Sequence, residues 1–199
     1  MNDFYLNKMS ILTYIYNLFY LNKTVVPNKN VFVCNSILFN ITELDLSNCP
    51  NLTELYCDNN QITELDLSNC PNLTILRCRD NKITQLDLSK CPNLTYLCCN
   101  HNQITELNLS NCPNLIGLWC ENNQITELDL SNCPNLTQLY CHYNQLRELD
   151  ISQNDKITKM RTDNNPFINK FHYFINNDIE KYREWCIENY NYRNDYTLK

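Results

Sequence analysis

The chain repeats itself every 21 residues. Ile41–Gln61 reads ITELDLSNCPNLTELYCDNNQ, and Ile62–Lys82, Ile83–Gln103, Ile104–Gln124 and Ile125–Gln145 follow it with few changes. A degenerate sixth copy, LRELDISQNDKITKMRTDNNP, fills Leu146–Pro166. A unit this short cannot bury an apolar face by itself. It becomes stable by stacking on its neighbours, so a strict period of this length predicts an elongated coil with one continuous core. Within a unit, apolar residues alternate in two places, x-L-x-C (Glu54–Cys57) and E-L-D-L (Glu64–Leu67). A period of two puts Leu55 and Cys57 on one face and Tyr56 on the other. Parallel rungs stacked roughly 5 Å apart would then align every Leu with a Leu and every Cys with a Cys.

The pattern L-x-x-L-x-C-x-x-N-x-I, seen as Leu52, Leu55, Cys57, Asn60 and Ile62, resembles the signature segment of leucine-rich repeats. The wording L-T-x-L-x-x-x-x-N-Q-I-T is similar to the internalin-like bacterial branch, with Cys where Leu is commoner. The resemblance covers about two thirds of the chain and implies an α/β-type solenoid: 21-residue rungs with a parallel concave sheet, an extended convex wall and helical caps. The concave strands are expected at Leu55-Tyr56-Cys57 and its equivalents, and L-D-L on the opposite wall, as extended chain or a second narrow parallel sheet. The reverse assignment is open, because Ile62-x-x-Leu65-x-Leu67-x-x-Cys70 imitates the same motif. The resemblance says little about function, since such folds carry many unrelated binding roles.

Asn60, Asn81, Asn102, Asn123, Asn144 and Asn165 occupy one position of the unit. An amide can both donate to and accept from backbone groups left unpaired where the chain leaves the strand, so these six are read as a structural ladder. The Cys-Pro pair at Cys49-Pro50 and its copies marks a second corner, where proline fixes φ and donates nothing. Ten of the 13 cysteines form two ladders, at 49, 70, 91, 112, 133 and at 57, 78, 99, 120, 141; the others are Cys34, Cys98 and Cys186. Such cysteines behave as small buried hydrophobes, and an odd total at repeat spacing is unlike a secreted disulfide framework. The expected compartment is reducing and intracellular, cytoplasmic, or the host cytoplasm if the source is viral. No metal site is expected: Cys99 and Cys120 should point inward while Cys98 and His101 do not, and ligands on opposite faces cannot share one tetrahedron.

Three domains are expected: an N-terminal cap with a first irregular rung over 1–40, six repeats over 41–166 and a C-terminal helical cap over 167–199. Val31, Val33 and Cys34 look like the strand of the irregular rung. Ahead of them, Ser10 could cap a helix bearing Ile11, Leu12, Ile15, Leu18 and Phe19 on one face. The apolar run Ile11–Leu21 also has a signal peptide's length, but it contains tyrosines and Asn17, and no small-residue cleavage site follows. No stretch approaches the roughly 20 apolar residues of a membrane span. At the other end, Pro166 can open a helix with Phe167, Phe171, Phe174 and Ile175 on one face, and Asn177 with Glu180 a second, with Ile179, Tyr182, Cys186 and Tyr190. These aromatics would seal the last rung.

Positions that face solvent and differ between rungs carry the information about function. The row inside the concave strand reads Tyr56, Arg77, Cys98, Trp119, Tyr140, Arg161. Its neighbour reads Glu54, Ile75, Tyr96, Gly117, Gln138, Lys159, and a third, also read as solvent-facing, Asp58, Arg79, Asn100, Glu121, His142, Asp163. Tyr96, Trp119 and Tyr140 on consecutive rungs, flanked by Arg77 and Arg79, have the composition of an interface hot spot. The candidate partner-binding residues are therefore Tyr56, Arg77, Arg79, Tyr96, Cys98, Trp119, Tyr140, His142 and Arg161, and the partner a protein or peptide.

Composition excludes several alternatives. The 199 residues hold 35 asparagines and a single glycine, Gly117, which rules out a Gly-rich phosphate loop. The Asn and Tyr excess also resembles proteins of AT-rich genomes, such as amoeba-infecting giant viruses. The net charge is −6, and the six repeats alone carry 8 basic against 16 acidic residues. That charge repels nucleic acid and anionic membrane. A regular, solvated carboxylate stripe on a convex wall gives no pair of carboxylates with divergent pKa across a cleft, so neither catalysis nor a cofactor is expected. The leading expectation is a non-enzymatic protein-interaction module using the concave face. A self-assembling structural solenoid and a secreted recognition protein are the alternatives; in the latter the Asn-Leu-Thr triplets, such as Asn72-Leu73-Thr74, would become glycan acceptors.

Overall fold

The computed structural model describes residues 23–25, 30–34, 40–167 and 179–180. Among the described residues nine three-residue strands follow in chain order: β1 Lys23–Val25, β2 Val31–Val33, β3 Glu43–Asp45, β4 Glu54–Tyr56, β5 Ile75–Arg77, β6 Tyr96–Cys98, β7 Gly117–Trp119, β8 Gln138–Tyr140 and β9 Lys159–Arg161. Strands β2 and β4 to β9 form one seven-stranded parallel sheet, and β1 pairs with β3 in a separate two-stranded sheet. From β4 onward every pairing joins residues 21 apart, such as Leu76↔Leu97 and Leu97↔Leu118. The irregular rung is two residues longer, since Val31 pairs with Glu54.

The strands are short because the rung must turn. Their central leucines, Leu55, Leu76, Leu97, Leu118 and Leu139, are wholly buried, while both neighbours of each lie on the concave face. The x-L-x-C segment is thus the concave strand. In the second rung Ile62, Leu65, Leu67, Cys70, Leu73, Leu76 and Cys78 all point inward, and these seven columns make the core of the coil. The E-L-D-L stretch forms a strand only once, at β3, which has β1 to pair with; in the later rungs it is extended without a ladder. The β1–β3 pair was not foreseen, because Pro27 reads as a break in the sequence.

Two local devices bend each rung. On the convex side Asp66 Oδ1 accepts the Ser68 N–H at 2.9 Å, and Asp87 and Asp129 do the same for Ser89 and Ser131 at 2.8 and 2.9 Å. Asn108 replaces the aspartate in the fourth rung with the same bond to Ser110 at 2.9 Å. Hydrogen bonds from the Ser68 hydroxyl and amide hold the Asp66 carboxyl below the usual carboxylate range, and Ser89 does so for Asp87. Half of the acidic wall is therefore turn chemistry rather than a free stripe. Beyond it, Cys70 N–H donates to Leu67 O and Leu73 N–H to Cys70 O, carrying the chain around Pro71.

The second device is the asparagine ladder. Asn102 Nδ2 donates to Cys78 O and Cys99 O, both at 3.0 Å, and to Asn100 O at 3.3 Å, while its Oδ1 accepts Ile83 N–H at 2.9 Å. One buried side chain thereby ties three segments in two adjacent rungs. Asn60, Asn81, Asn123 and Asn144 repeat the arrangement, and Asn165 closes it at the last rung with bonds to Cys141 O, Thr162 O and Leu146 N. The residue before each ladder asparagine is left-handed: Asn59, Asp80, His101, Asn122, Tyr143 and Asn164 have φ between 53° and 58°. Asparagine tolerates that region better than other non-glycine residues, which accounts for its recurrence here.

The sixth rung departs from the pattern at Asn154, which replaces a ladder cysteine. Buried at 1% exposure, it donates to Leu130 O and Cys133 O at 3.1 and 3.0 Å. Met160, Phe167 and Ile179 pack against the core at this end. Ile179 and Glu180 have helical backbone. Pro166 and Phe167 have no helical backbone; the remaining residues of the two C-terminal helices expected from the sequence, and the expected N-terminal helix, lie outside the described residues. Among the described residues, no helix is long and apolar enough to cross a membrane.

Candidate functional site

The concave sheet presents two outward columns, and several of their side chains meet across the rungs. Trp119 and Tyr140, in one column, have ring centroids 6.0 Å apart and planes within 8°. Tyr96, in the other column one rung back, lies 6.3 Å from Trp119. The two columns meet because of Gly117. A Cβ built there would stand 2.5 and 2.6 Å from Trp119 Cζ3 and Cη2, and 3.0 Å from a ring carbon of Tyr96. The indole therefore lies over its own strand, in a notch that a side chain would fill. Gly117 is the residue the sequence reading passed over; its signal was that the chain's single glycine falls in a column otherwise held by Glu, Ile, Tyr, Gln and Lys.

The other candidates fall to either side. Arg77 stands 5.8 Å from the Tyr56 ring centroid, and its Nη2 is 3.0 Å from Asp58 Oδ2. Arg79 donates its backbone N–H to Asp58 Oδ1 at 3.1 Å, with Nε 3.7 Å from Oδ2. At the far end Arg161 Nε is 2.7 Å from Asp163 Oδ1. Cys98 is half-buried between Arg77 and Trp119, with its thiol pushed up to about 11 by burial.

The third column departs from expectation. Asp58, Asn100 and His142 are buried, at 1, 8 and 7% exposure, so His142 is not the accessible contact residue the alternation suggested. The strand has ended two residues earlier and the rung is already bending. Side chains here turn along the stack, as Asp58 does toward the Arg79 amide, rather than out from the sheet. Burial lowers the His142 pKa and raises that of the Glu121 carboxyl. Glu121 Oε2 and His142 Nδ1 are buried without a hydrogen-bond partner.

An open groove of about 830 Å³ follows a different edge, walled by the Asn51–Asn135 and Thr53–Thr137 columns. Its polar groups serve the coil: Asn72, Asn93 and Asn135 donate to Pro50, Pro71 and Pro113 carbonyls, and Thr74 and Thr95 donate to the preceding rung. Among the described residues no three His, Cys, Asp or Glu side chains are grouped to hold a metal ion.

A parallel-strand solenoid with an asparagine ladder and a varied concave face defines a repeat scaffold of the kind that generally serves protein interaction. The family comparison agrees. The description "Leucine Rich repeats (2 copies)" matches residues 71–112 and 113–169, and "Leucine Rich Repeat" matches residues 51–73. The chain belongs to the leucine-rich-repeat family. Among solved structures it is similar to internalin C2 from Listeria monocytogenes, at 25% identity and a TM-score of 0.57 over 61% of this chain and 61% of that one. A leucine-rich-repeat protein of Leptospira interrogans gives 22% identity and a TM-score of 0.63 over 76% of this chain and 47% of its own. The functional domain of InlJ from Listeria monocytogenes, described as including a cysteine ladder, is 33% identical over 70% of this chain and 40% of its own, with a TM-score of 0.39. The chain thus spans 40 to 61% of the length of these proteins. No curated protein matches it.

Proposed function

We propose that this chain is a non-enzymatic protein-interaction module that engages a protein or peptide through its concave face. The observation that carries the reading is the Tyr96–Trp119–Tyr140 strip, set on a hydrogen-bonded sheet with the Trp119 ring seated over Gly117. Large aromatic side chains held in place before binding lose little conformational freedom on contact, which is what makes them interface anchors. The convex carboxylates favour no catalytic role. Asp66 and Asp87 are held low by their serine donors, the opposite of what a general acid needs. The proposal extends to a reducing, cytoplasmic compartment: all twelve described cysteines are free, and eleven of them are buried.

The test is affinity capture from lysate of the source cell, comparing the wild type with a Y96A/W119A/Y140A variant and with Gly117→Ala. Circular dichroism must first show that both variants fold, which the outward position of all these side chains predicts. A partner retained by the wild type and lost from both variants is the expected result. The same partners on all three chains would refute recognition by the concave strip.

A further inference from the structure

In a repeat, a position that the other rungs fill alike shows what the fold requires there, and a departure shows where a rung has given that up. Two such departures fall on neighbouring rungs, at opposite edges of the concave face. The column along the edge groove holds Thr53, Thr74, Thr95, Thr137 and Thr158, and each hydroxyl donates to a carbonyl of the preceding rung, at 2.8 to 3.4 Å. In the fourth rung this position is Ile116. It forgoes the hydrogen bond and leaves a half-buried aliphatic side chain in a groove otherwise lined by Asn and Thr. At the other edge stands the left-handed row, where three of the six residues are asparagine. A bulky side chain is out of place at positive φ, yet Tyr143 of the fifth rung is held there at 54°. It is also 49% exposed, the one exposed tyrosine, tryptophan or phenylalanine among the described residues. Its backbone strain is thus not offset by burial of the ring.

Between these edges lie Gly117 and Trp119 on the fourth rung and Tyr140 on the fifth. Gly117 follows Ile116 directly, so no side chain of its column stands between the groove and the Trp119 ring that lies over it. Trp119 in turn stacks on Tyr140, 6.0 Å away. The apolar surface therefore runs across the coil, parallel to the strands. Charge is arranged to either side of it. Arg77 and Arg79 stand on the second rung, and Lys159 and Arg161 on the sixth. The concave positions of the fourth and fifth rungs hold no Lys or Arg, and their one acidic residue, Glu121, is half-buried.

We propose that the partner presents an uncharged apolar segment that crosses the coil over the fourth and fifth rungs, from Ile116 at the groove, over the Trp119 and Tyr140 rings, to Tyr143 at the rim. The proposal rests on the concave-face reading and adds to it two contact residues, a direction and the chemistry of the partner. An apolar segment covers this band without stripping water from a charge, whereas a segment lying along the coil would pass over Arg77 at one end and Lys159 at the other.

Random twelve-residue peptides are selected on the immobilised full chain, with counter-selection against the folded Y96A/W119A/Y140A variant, and the selected peptides are titrated against single variants. Ile116→Thr and Tyr143→Asn each restore the residue that recurs in other rungs, so both chains are expected to unfold in urea at or above the wild-type midpoint. Peptide binding is expected to weaken about fivefold or more in each, so that stability and affinity move apart as a purely structural role would not make them. Ile75→Ser and Lys159→Ala, on the second and sixth rungs, are expected to change binding less than about twofold. The selected peptides are expected to share apolar residues and no fixed charge. Binding unchanged in Ile116→Thr or in Tyr143→Asn, binding that depends instead on Ile75 and Lys159, or peptides that share a fixed charged residue would overturn the crosswise apolar proposal while leaving concave-face recognition intact. Selection that yields nothing distinguishing the wild type from the triple variant would overturn both.

Discussion

Asn102 sits in the middle of the asparagine ladder, and the cost of removing it can be worked bond by bond. Truncation to alanine deletes three donated bonds and one accepted bond. The three carbonyls survive this well. Cys78 O keeps Asn81 Nδ2 at 3.0 Å, Cys99 O keeps Asn123 Nδ2 at 3.1 Å, and Asn100 O keeps the Asp80 amide at 3.1 Å. Ile83 N–H loses its Oδ1 acceptor inside the coil. One orphaned buried donor plus the net worth of the lost bonds gives about 2–4 kcal/mol for Asn102→Ala. Asn102→Asp should be worse at pH 7 although it is nearly isosteric: it still accepts from Ile83, but it points a buried charge at three carbonyl oxygens. Its folded-state pKa must lie above the unfolded value of about 3.9. A group so raised is least destabilising below its unfolded pKa and most destabilising once pH has passed its folded pKa. The deficit of Asn102→Asp relative to Asn102→Ala should therefore shrink as pH falls from 7 to 4. Urea denaturation followed by circular dichroism at several pH values measures both quantities. An aspartate variant equal to the alanine variant at pH 7, or a gap that does not move with pH, would show that the ladder is not held together by amide donation.

Three further outcomes are expected. Tyr143 is held at φ 54° in a row where Asn59, Asn122 and Asn164 are better suited, so Tyr143→Asn should stabilise the fold by about 1 kcal/mol in urea melts; a loss of stability would mean that its ring, 5.5 Å from that of His142, contributes more than the backbone costs. Of the described cysteines, Cys98 should be alkylated first by iodoacetamide in the native chain, and faster as pH rises toward about 11, while the ladder thiols, with Cys91 and Cys133 near 12, wait for unfolding; mass spectrometry that finds ladder cysteines labelled before Cys98 would contradict their burial. His142 is kept neutral by burial, with Arg161 also disfavouring its proton and Asp163 favouring it, so its folded pKa lies below the unfolded value of about 6.5. The stability tied to the neutral imidazole is present above that value and lost as pH falls through the folded pKa; His142→Gln should lose less stability than the wild type between pH 7 and 5, and identical acid limbs would refute this.

The repeat by itself makes the coil legible. Twenty-one residues are too few to bury Leu55 and Cys57 within one unit, so their recurrence requires stacking, and the period-two alternation assigns Leu118 inward and Trp119 outward. The ladder role of Asn102 followed from the same reasoning, because an amide side chain can serve both a donor and an acceptor at a strand exit. The sequence also identified the rows that vary, and so Tyr96, Trp119 and Tyr140.

What it did not reveal depends on contacts between rungs. Alternation continued one step too far at His142, because the strand ends at Tyr140 and a side chain two residues later follows the bend of the coil. The convex aspartates read as a solvated stripe until Asp66 and Asp87 were seen to accept from Ser68 and Ser89. The position of Gly117 stood out as the single glycine, but not its role, since a missing Cβ matters only once an indole two residues away folds back over it. How a carboxylate is surrounded was undecidable for the same reason: Asp58 and Glu121 stand at equivalent repeat positions, and only the side chains stacked on the next rung, two arginines in one case and a tyrosine and a histidine in the other, set the environment of each. A periodic sequence determines the scaffold because backbone hydrogen bonding and apolar burial recur identically in every rung; the concave surface is decided in three dimensions, because it is made of the neighbours that do not recur.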